Sequence, residues 1–166
     1  MMSQLKCDFK VVGPVQTNCY FLSNTDTREC VIVDPGEEAG KIADFIEKKE
    51  LKPVAILLTH GHFDHIGAVD EIRNRYGIKV YAAAAEKETL ENPDINLSSQ
   101  FGGGYTVKAD EFLNDGQEIE LLGEKVRCLL TPGHTKGGMC YYFTGSGILF
   151  SGDTLFQQSV GRTDFP

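Results

Sequence analysis

Three histidines and one aspartate lie within six consecutive positions of this chain, in the segment Thr59-His-Gly-His-Phe-Asp-His-Ile-Gly67. The whole chain has only four histidines, so chance clustering of this density is improbable. Neutral imidazole and carboxylate groups are ligands for zinc, and also for ferrous iron or manganese. The spacing therefore predicts a metal site that uses His60, His62, Asp64 and His65. Each of these side chains, taken alone, also fits an ordinary surface or core residue.

The fourth histidine and a further aspartate lie in two other turn-like segments. His134 lies in Thr131-Pro-Gly-His134 and Asp153 in Ser151-Gly-Asp-Thr154, and each segment follows an apolar run. A carboxylate has two oxygens and can bridge two metal ions about 3.5–4 Å apart. We expect His134 and Asp153 to join the histidine cluster in a single pocket, although turn formation alone also explains Asp153.

Alternating strands and helices must position these residues. Apolar runs predict strands over residues 9–12, 19–22, 30–33, 54–58, 78–81, 119–122, 125–130, 139–143 and 147–150. Apolar residues at helical spacing predict helices over 37–49 and 68–76, and the polar, glycine-rich stretch 92–110 predicts a long loop. His60 then follows a buried strand, and Asp64 and His65 lie at the start of the second helix. Asp34 fits either a turn after a strand or a hydrogen bond to a ligand.

Length and charge exclude several classes of protein. The 166 residues are predicted to form one domain, 1–166, and the net charge of −8 is the wrong sign for binding a nucleic-acid backbone. No apolar run is long enough to span a bilayer and no signal peptide is recognisable, so we expect a cytoplasmic protein. The cysteines are predicted to be reduced core residues, with a thiolate nucleophile or metal ligand as the alternative: Cys7, Cys19, Cys30, Cys128 and Cys140.

The motifs resemble those of the metallo-β-lactamase superfamily, whose signature T-H-x-H-x-D-H-x-G is present from Thr59 to Gly67. The segments 31–36, 131–134 and 151–154 match the family in order and spacing. The branch that this chain most resembles is the single-domain glyoxalase II-like hydrolases, because residues 154–156 and 161–166 are similar to that group after the bridging aspartate.

This resemblance implies a fold and a set of ligands. The fold is an α/β protein, an αβ/βα four-layer sandwich, with two mixed sheets face to face, helices on both outer faces and the metal loops along one rim. By resemblance, His60, His62 and His134 bind the first ion, Asp64 and His65 bind the second, and Asp153 bridges the two. One or two zinc ions are expected, with iron or manganese as alternatives.

Members of this branch usually continue past the position of Pro166, through a further strand and helix that supply one more histidine to the second metal. We therefore expect the domain to be incomplete at its C-terminus, with a more weakly bound second ion. An uncovered strand edge would also favour self-association.

The expected activity is hydrolysis of a thioester of the S-lactoylglutathione type by a metal-bound hydroxide. Asp64 and Asp153 would orient the hydroxide, and Arg162 would hold a substrate carboxylate in place of the family's lysine and tyrosine. Because every histidine is used as a ligand, a thiolate that leaves without a dedicated acid is favoured. The alternatives are a persulfide dioxygenase with one iron on His60, His134 and Asp153, or an inactive metal-stabilised fragment. A β-lactamase is disfavoured by the missing secretion signal, and a nuclease by the acidic surface.

Overall fold

Two β-sheets stacked face to face organise the chain in the computed structural model, which describes residues 5–101, 104–131 and 137–151 and the backbone of 155–156 and 159–160. The first sheet contains, in spatial order, β1 (Leu5–Val12), β2 (Thr17–Asn24), β3 (Glu29–Val33), β4 (Lys52–Leu57), β5 (Lys79–Ala83) and β6 (Glu111–Leu113). The second sheet, in the order β10-β9-β8-β7, contains β7 (Glu118–Leu121), β8 (Glu124–Leu130), β9 (Met139–Phe143) and β10 (Ile148–Phe150). A separate antiparallel pair is formed by β11 (Leu155–Phe156) and β12 (Ser159–Val160).

The helices are short and lie mainly between strands of the first sheet. They are α1 (Ala39–Lys48), α2 (Phe63–Ile66), α3 (Val69–Tyr76), a 3₁₀ turn (Ala84–Glu86), α4 (Lys87–Glu91) and α5 (Ser98–Phe101). Within the described part of the chain, none of them has the length and apolar character needed to cross a lipid bilayer.

Strand direction follows from these connections. The first sheet is mixed: β1, β2 and β3 are antiparallel, whereas β3 to β6 are parallel because helical crossovers join them. The second sheet differs from the expectation of a mixed sheet, since all its described strand pairs are antiparallel. The connections between its successive strands, residues 122–123, 131–138 and 144–147, have too few residues for the crossover that a parallel pair needs.

Two apolar cores cover the two faces of the first sheet. Ile32 and Ile56 pack toward the helices with Ile42 and Ile72, whereas the alternate residues of the same strands pack toward the second sheet. That second core contains Val31, Leu57, Tyr141 and Phe143. The described residues therefore form helix, sheet and sheet, which are three layers of the expected sandwich.

Several predicted elements differ from the observed ones near the site. Asp64 and His65 do not begin the helix over 68–76 but lie in the separate helix α2, and the backbone N–H of Ala68 donates to the Pro35 carbonyl between the two helices (3.0 Å). Pro53 lies inside β4 and not before it, at an irregularity in the pairing with β3 where a residue without an N–H is tolerated.

The cysteines are all free thiols, as predicted from the sequence. Four are buried as predicted, but Cys7 is exposed, so the prediction that it is a core residue is wrong. Burial raises the pKa of Cys30 to about 12, and burial followed by the nearby Asp8 raises that of Cys7 to about 11. Protonated thiols of this kind are poor metal ligands and nucleophiles, so the thiolate alternative has no support in the structure.

Candidate metal centre

The histidine-rich segment leaves the carboxyl end of β4 at a point fixed by both sheets. The Leu58 N–H donates to the Tyr81 carbonyl in the first sheet (2.9 Å). From the second sheet, the Met139 N–H donates to the Thr59 carbonyl (2.7 Å) and the Tyr141 hydroxyl to the Leu58 carbonyl (2.6 Å). The backbone is therefore anchored on both sides immediately before His60.

Three of the predicted ligands form one tight cluster. The potential ligand atoms of His60, Asp64 and His65 all lie within 4.8 Å of one another, and His65 Nε2 is 3.4 Å from Asp64 Oδ2. The ring of His62 lies edge-on to that of His60, with 5.1 Å between centroids. The three imidazoles are buried, and Asp64 is partly exposed. Buried imidazoles beside a carboxylate are a donor set that fits zinc, ferrous iron or manganese.

Asp34 fixes the orientation of this cluster. Its Oδ2 accepts a hydrogen bond from His65 Nδ1 (2.9 Å) and from the Thr59 hydroxyl (2.5 Å), while its Oδ1 accepts from the Thr59 N–H (2.8 Å). A His65 ring that donates from Nδ1 to a carboxylate leaves Nε2 unprotonated, which is the tautomer a metal requires. Both sequence interpretations of Asp34 hold, since it lies in the turn after β3 and also bonds to a candidate ligand.

Thr17 contacts the candidate ligand Asp64. Its hydroxyl, at the start of β2, donates to Asp64 Oδ2 (2.9 Å). Sequence reasoning missed this residue, because it lies 47 positions from Asp64 and no motif marks it.

Two glycines allow the loops around Asp34 and Asp64 to touch. A Cβ at Gly36 would lie 1.8 Å from the Asp64 carbonyl oxygen, and a Cβ at Gly67 would lie 2.2 Å from the Gly36 carbonyl oxygen. Backbone therefore packs on backbone here, and only glycine fits at either position.

The predicted long loop holds α2 through two hydrogen bonds. The Phe63 N–H donates to the Asn96 carbonyl and the Tyr105 hydroxyl donates to the Phe63 carbonyl, each at 2.8 Å. Burial, followed by the charges of Glu37 and Asp64, raises the pKa of Tyr105 to about 12, so this hydroxyl remains a donor. Apart from α5, the described residues of this loop are irregular, and Asn96 and Tyr105 place it beside the site.

Glu86 is a second residue that sequence reasoning missed. Its carboxylate is buried and accepts hydrogen bonds from the N–H groups of Gly61 and Gly137. A single glutamate after the run of alanines at 82–85 carries no sequence signal for this role.

The remaining predicted site residues, His134, Asp153 and Arg162, lie outside the described residues. The described residues that flank the segment 132–136 lie beside the cluster: the Thr131 N–H donates to the Gly138 carbonyl (2.7 Å), and Met139 bonds to Thr59. The division of the ligands between two ions and the bridging role of Asp153 stay predictions.

Comparisons with known proteins identify the family to which the sequence is similar. Residues 12–166 match the family model described as Metallo-beta-lactamase superfamily. The probable metallo-hydrolase YqgX of Bacillus subtilis is 44% identical over 155 residues, which cover 92% of this chain and 72% of that protein. The hydroxyacylglutathione hydrolase GloC of Haemophilus influenzae is 33% identical, over 93% of this chain and 74% of its own length.

A solved structure has a similar fold. The crystal structure of the BLEG-1 B3 metallo-beta-lactamase superposes with a TM-score of 0.88 at 43% identity, covering 97% of this chain and 78% of that one. From the family match over residues 12–166 and the relative at 44% identity, we conclude that this chain belongs to the metallo-beta-lactamase superfamily.

Proposed function

We propose that this protein hydrolyses small thioesters of the S-lactoylglutathione type with the help of one or two divalent metal ions. The observation that carries the proposal is the buried cluster of His60, Asp64 and His65, whose ligand atoms lie within 4.8 Å of one another. The similarity to a hydroxyacylglutathione hydrolase, at 33% identity, supports the substrate class. The full proposed ligand set is His60, His62, Asp64, His65, His134 and Asp153.

The donor set determines what kind of ion fits. Imidazole nitrogens and carboxylate oxygens suit zinc, ferrous iron and manganese alike, so the proposal names zinc first and leaves the other two as alternatives. Such an ion, when bound, supplies a Lewis acid that polarises a carbonyl and lowers the pKa of water to about 7.

The residues around the cluster prepare it for this role. Asp34 holds His65 in the tautomer whose Nε2 is available to a metal, and Thr17 restrains one oxygen of Asp64. Asp64 and Asp153 are proposed to orient the attacking water, and Arg162 to bind a carboxylate of the substrate. An arginine is suited to this contact because its guanidinium can bind a carboxylate through two hydrogen bonds.

The leaving group favours a thioester over an amide. In this proposal all four histidines of the chain are ligands, so none remains as a general acid. A thiol with a pKa of about 8.5 departs readily as a thiolate, whereas an amine must be protonated as it leaves.

The direct test is hydrolysis of S-lactoylglutathione by the purified chain loaded with zinc, iron or manganese, followed by thiol release. His60→Ala and Asp64→Asn should each lower kcat/KM by more than about 100-fold, which exceeds the usual 10–100-fold cost of losing a partner outside the ligand set. Asp94→Asn is the control, because Asp94 is an exposed loop residue and its replacement should change the rate by less than twofold.

β-Lactam hydrolysis is the second candidate, because the B3 metallo-beta-lactamase superposes at 43% identity. The same preparations should therefore be assayed with a chromogenic cephalosporin. Turnover of the cephalosporin without turnover of the thioester would overturn the proposal in favour of a lactamase. Oxygen consumption with glutathione persulfide would instead favour a dioxygenase, and bound metal without any turnover would indicate an inactive module.

A further inference from the structure

A buried glutamate outside the proposed ligand set binds the backbone of two described glycines, Gly61 and Gly137. Glu86, at the end of the 3₁₀ turn, is only 1% exposed. Its Oε2 accepts a hydrogen bond from the Gly61 N–H (2.9 Å) and its Oε1 accepts one from the Gly137 N–H (3.3 Å). Gly61 is the residue between His60 and His62, and Gly137 follows His134 by three positions in the sequence.

Both glycines pack closely on the segment that carries Glu86. A Cβ at Gly137 would lie 2.3 Å from the Glu86 nitrogen, so backbone packs on backbone there, and a Cβ at Gly61 would lie 2.9 Å from a methyl carbon of the Leu90 side chain in α4. The two hydrogen bonds oppose movement of Gly61 and Gly137 away from this segment. The carboxylate therefore links the backbone at Gly61 to the backbone at Gly137.

The energetics of the carboxylate point to a specific role. A buried carboxylate is costly unless hydrogen bonds stabilise it, and backbone N–H groups that donate to an anion make strong, charge-assisted bonds. An apolar side chain would fill the same space without this cost, but it could not bind the two N–H groups. The negative charge also favours a cation held by the histidine that precedes Gly61.

We propose that Glu86 is a positioning residue of the metal centre. By accepting hydrogen bonds from the Gly61 and Gly137 N–H groups, its carboxylate holds the His60–His62 loop in register with the chain that follows His134, and it thereby sets the affinity for the metal. The inference rests on the metal centre of the proposed function, but it does not depend on the identity of the substrate.

The test compares Glu86→Gln with Glu88→Gln, which removes the same charge from an exposed position two residues away. The zinc Kd is measured by competition with a chromophoric chelator. Glu86→Gln should raise the zinc Kd about 10–100-fold, because one amide oxygen cannot accept hydrogen bonds from both N–H groups with the same geometry. A change of this size is usual when a group that supports metal ligands is lost. Glu88→Gln should stay within twofold of the wild type.

A second readout separates positioning from simple stabilisation. Metal raises Tm because it binds only the folded chain, so the difference between the metal-loaded and metal-free Tm should shrink in Glu86→Gln. The electronic spectrum of the cobalt-loaded variant should also change, since the ligand geometry is altered. Glu86→Asp retains the charge but is one methylene shorter, and it provides a folded variant if the glutamine protein is unstable; its zinc Kd should be intermediate.

Several outcomes would overturn the inference. One such outcome is a decrease in Tm that is the same with and without metal in both Glu86 variants, together with a zinc Kd within twofold of the wild type. Glu86 would then be only structural. A wild-type chain that binds zinc but hydrolyses no thioester would overturn the proposed substrate and leave this inference standing. A wild-type chain that binds no metal would overturn both.

Discussion

At the scale of single residues, Asp34 determines the chemistry available to its neighbours. Its backbone is left-handed, with φ of 54°, and its N–H donates to the Leu57 carbonyl (3.1 Å). This conformation, which is uncommon outside glycine, asparagine and aspartate, turns the carboxylate back toward Thr59 and His65. The strained turn therefore aims one carboxylate at three donors of the site.

Asp34→Asn is expected to weaken metal binding without distorting the turn. Asparagine tolerates the left-handed backbone, but its amide nitrogen cannot accept the bonds that Oδ2 accepts from His65 and from the Thr59 hydroxyl. We expect the zinc Kd to rise about 10–100-fold and the free energy of unfolding of the metal-free chain to fall by about 1–3 kcal/mol. Competition with a chelator and urea titration measure the two effects.

Asp44→Asn is the matched control, because Asp44 lies on the exposed face of α1. This variant should leave the zinc Kd and the free energy of unfolding unchanged within error. A zinc Kd for Asp34→Asn equal to that of the wild type would show that the contact between Asp34 and His65 does not affect the metal.

The sequence predicted the candidate ligands but only some of the residues that hold them. His60, Asp64 and His65 could be recognised because their types and spacing alone indicate metal chemistry, and Asp34 because it lies in a turn motif. Thr17 and Glu86 could not be recognised in this way. Thr17 contacts Asp64, 47 positions away, and Glu86 contacts Gly61 and Gly137, 25 and 51 positions away. These contacts exist only once the chain has folded.

At the scale of elements, the short helix α2 depends on contacts with other segments. Four residues are too few for a stable helix in water, so its position is set by bonds from the long loop and by the contact between Gly36 and Asp64. Hydrophobic periodicity cannot reveal a helix of this kind. The amphipathic helices α1 and α3 and most of the apolar strands, by contrast, were predicted within two residues of their observed bounds because their periodicity is clear. Two exceptions are β1, which begins four residues before the predicted strand, and β6, which was not predicted.

Gly36→Ala should unfold or strongly destabilise this region, whereas Gly40→Ala should not. The alanine Cβ at position 36 would lie 1.8 Å from the Asp64 carbonyl oxygen, so the turn at position 36 or the turn at Asp64 must move. We expect a loss of at least about 3 kcal/mol in the free energy of unfolding, at the upper end of the usual overpacking cost. Gly40 is exposed in α1, and a Cβ added there would have no neighbouring atom within 4 Å. Alanine at position 40 should therefore raise the free energy of unfolding by about 0.5–1 kcal/mol.

Chemical denaturation of the two variants measures this difference directly. Equal stability of Gly36→Ala and the wild type would mean that the turns around Asp34 and Asp64 can separate at little cost. The rigid positioning of α2 would then be wrong.

At the scale of the whole molecule, the two sheets meet at the edge where the cluster lies. The strand residues that face the second sheet alternate with those that face the helices, and this pattern could be inferred from the apolar runs on both faces of each central strand. The bonds between the sheets could not be inferred in this way. They depend on backbone groups, Thr59 and Leu58 among them, whose partners carry no sequence signature.

Tyr141→Phe tests how strongly this junction couples the sheets. Tyr141 is fully buried, burial raises its pKa well above the usual range, and its neutral hydroxyl donates to the Leu58 carbonyl (2.6 Å). Removing the hydroxyl leaves the buried Leu58 carbonyl without this donor. We therefore expect the free energy of unfolding to fall by about 1–3 kcal/mol, with an unchanged m value in urea. Tyr142→Phe, at the half-buried neighbour, should change stability by less than about 0.5 kcal/mol. If the two variants were equally stable, the Tyr141 hydroxyl would contribute nothing to the coupling of the sheets.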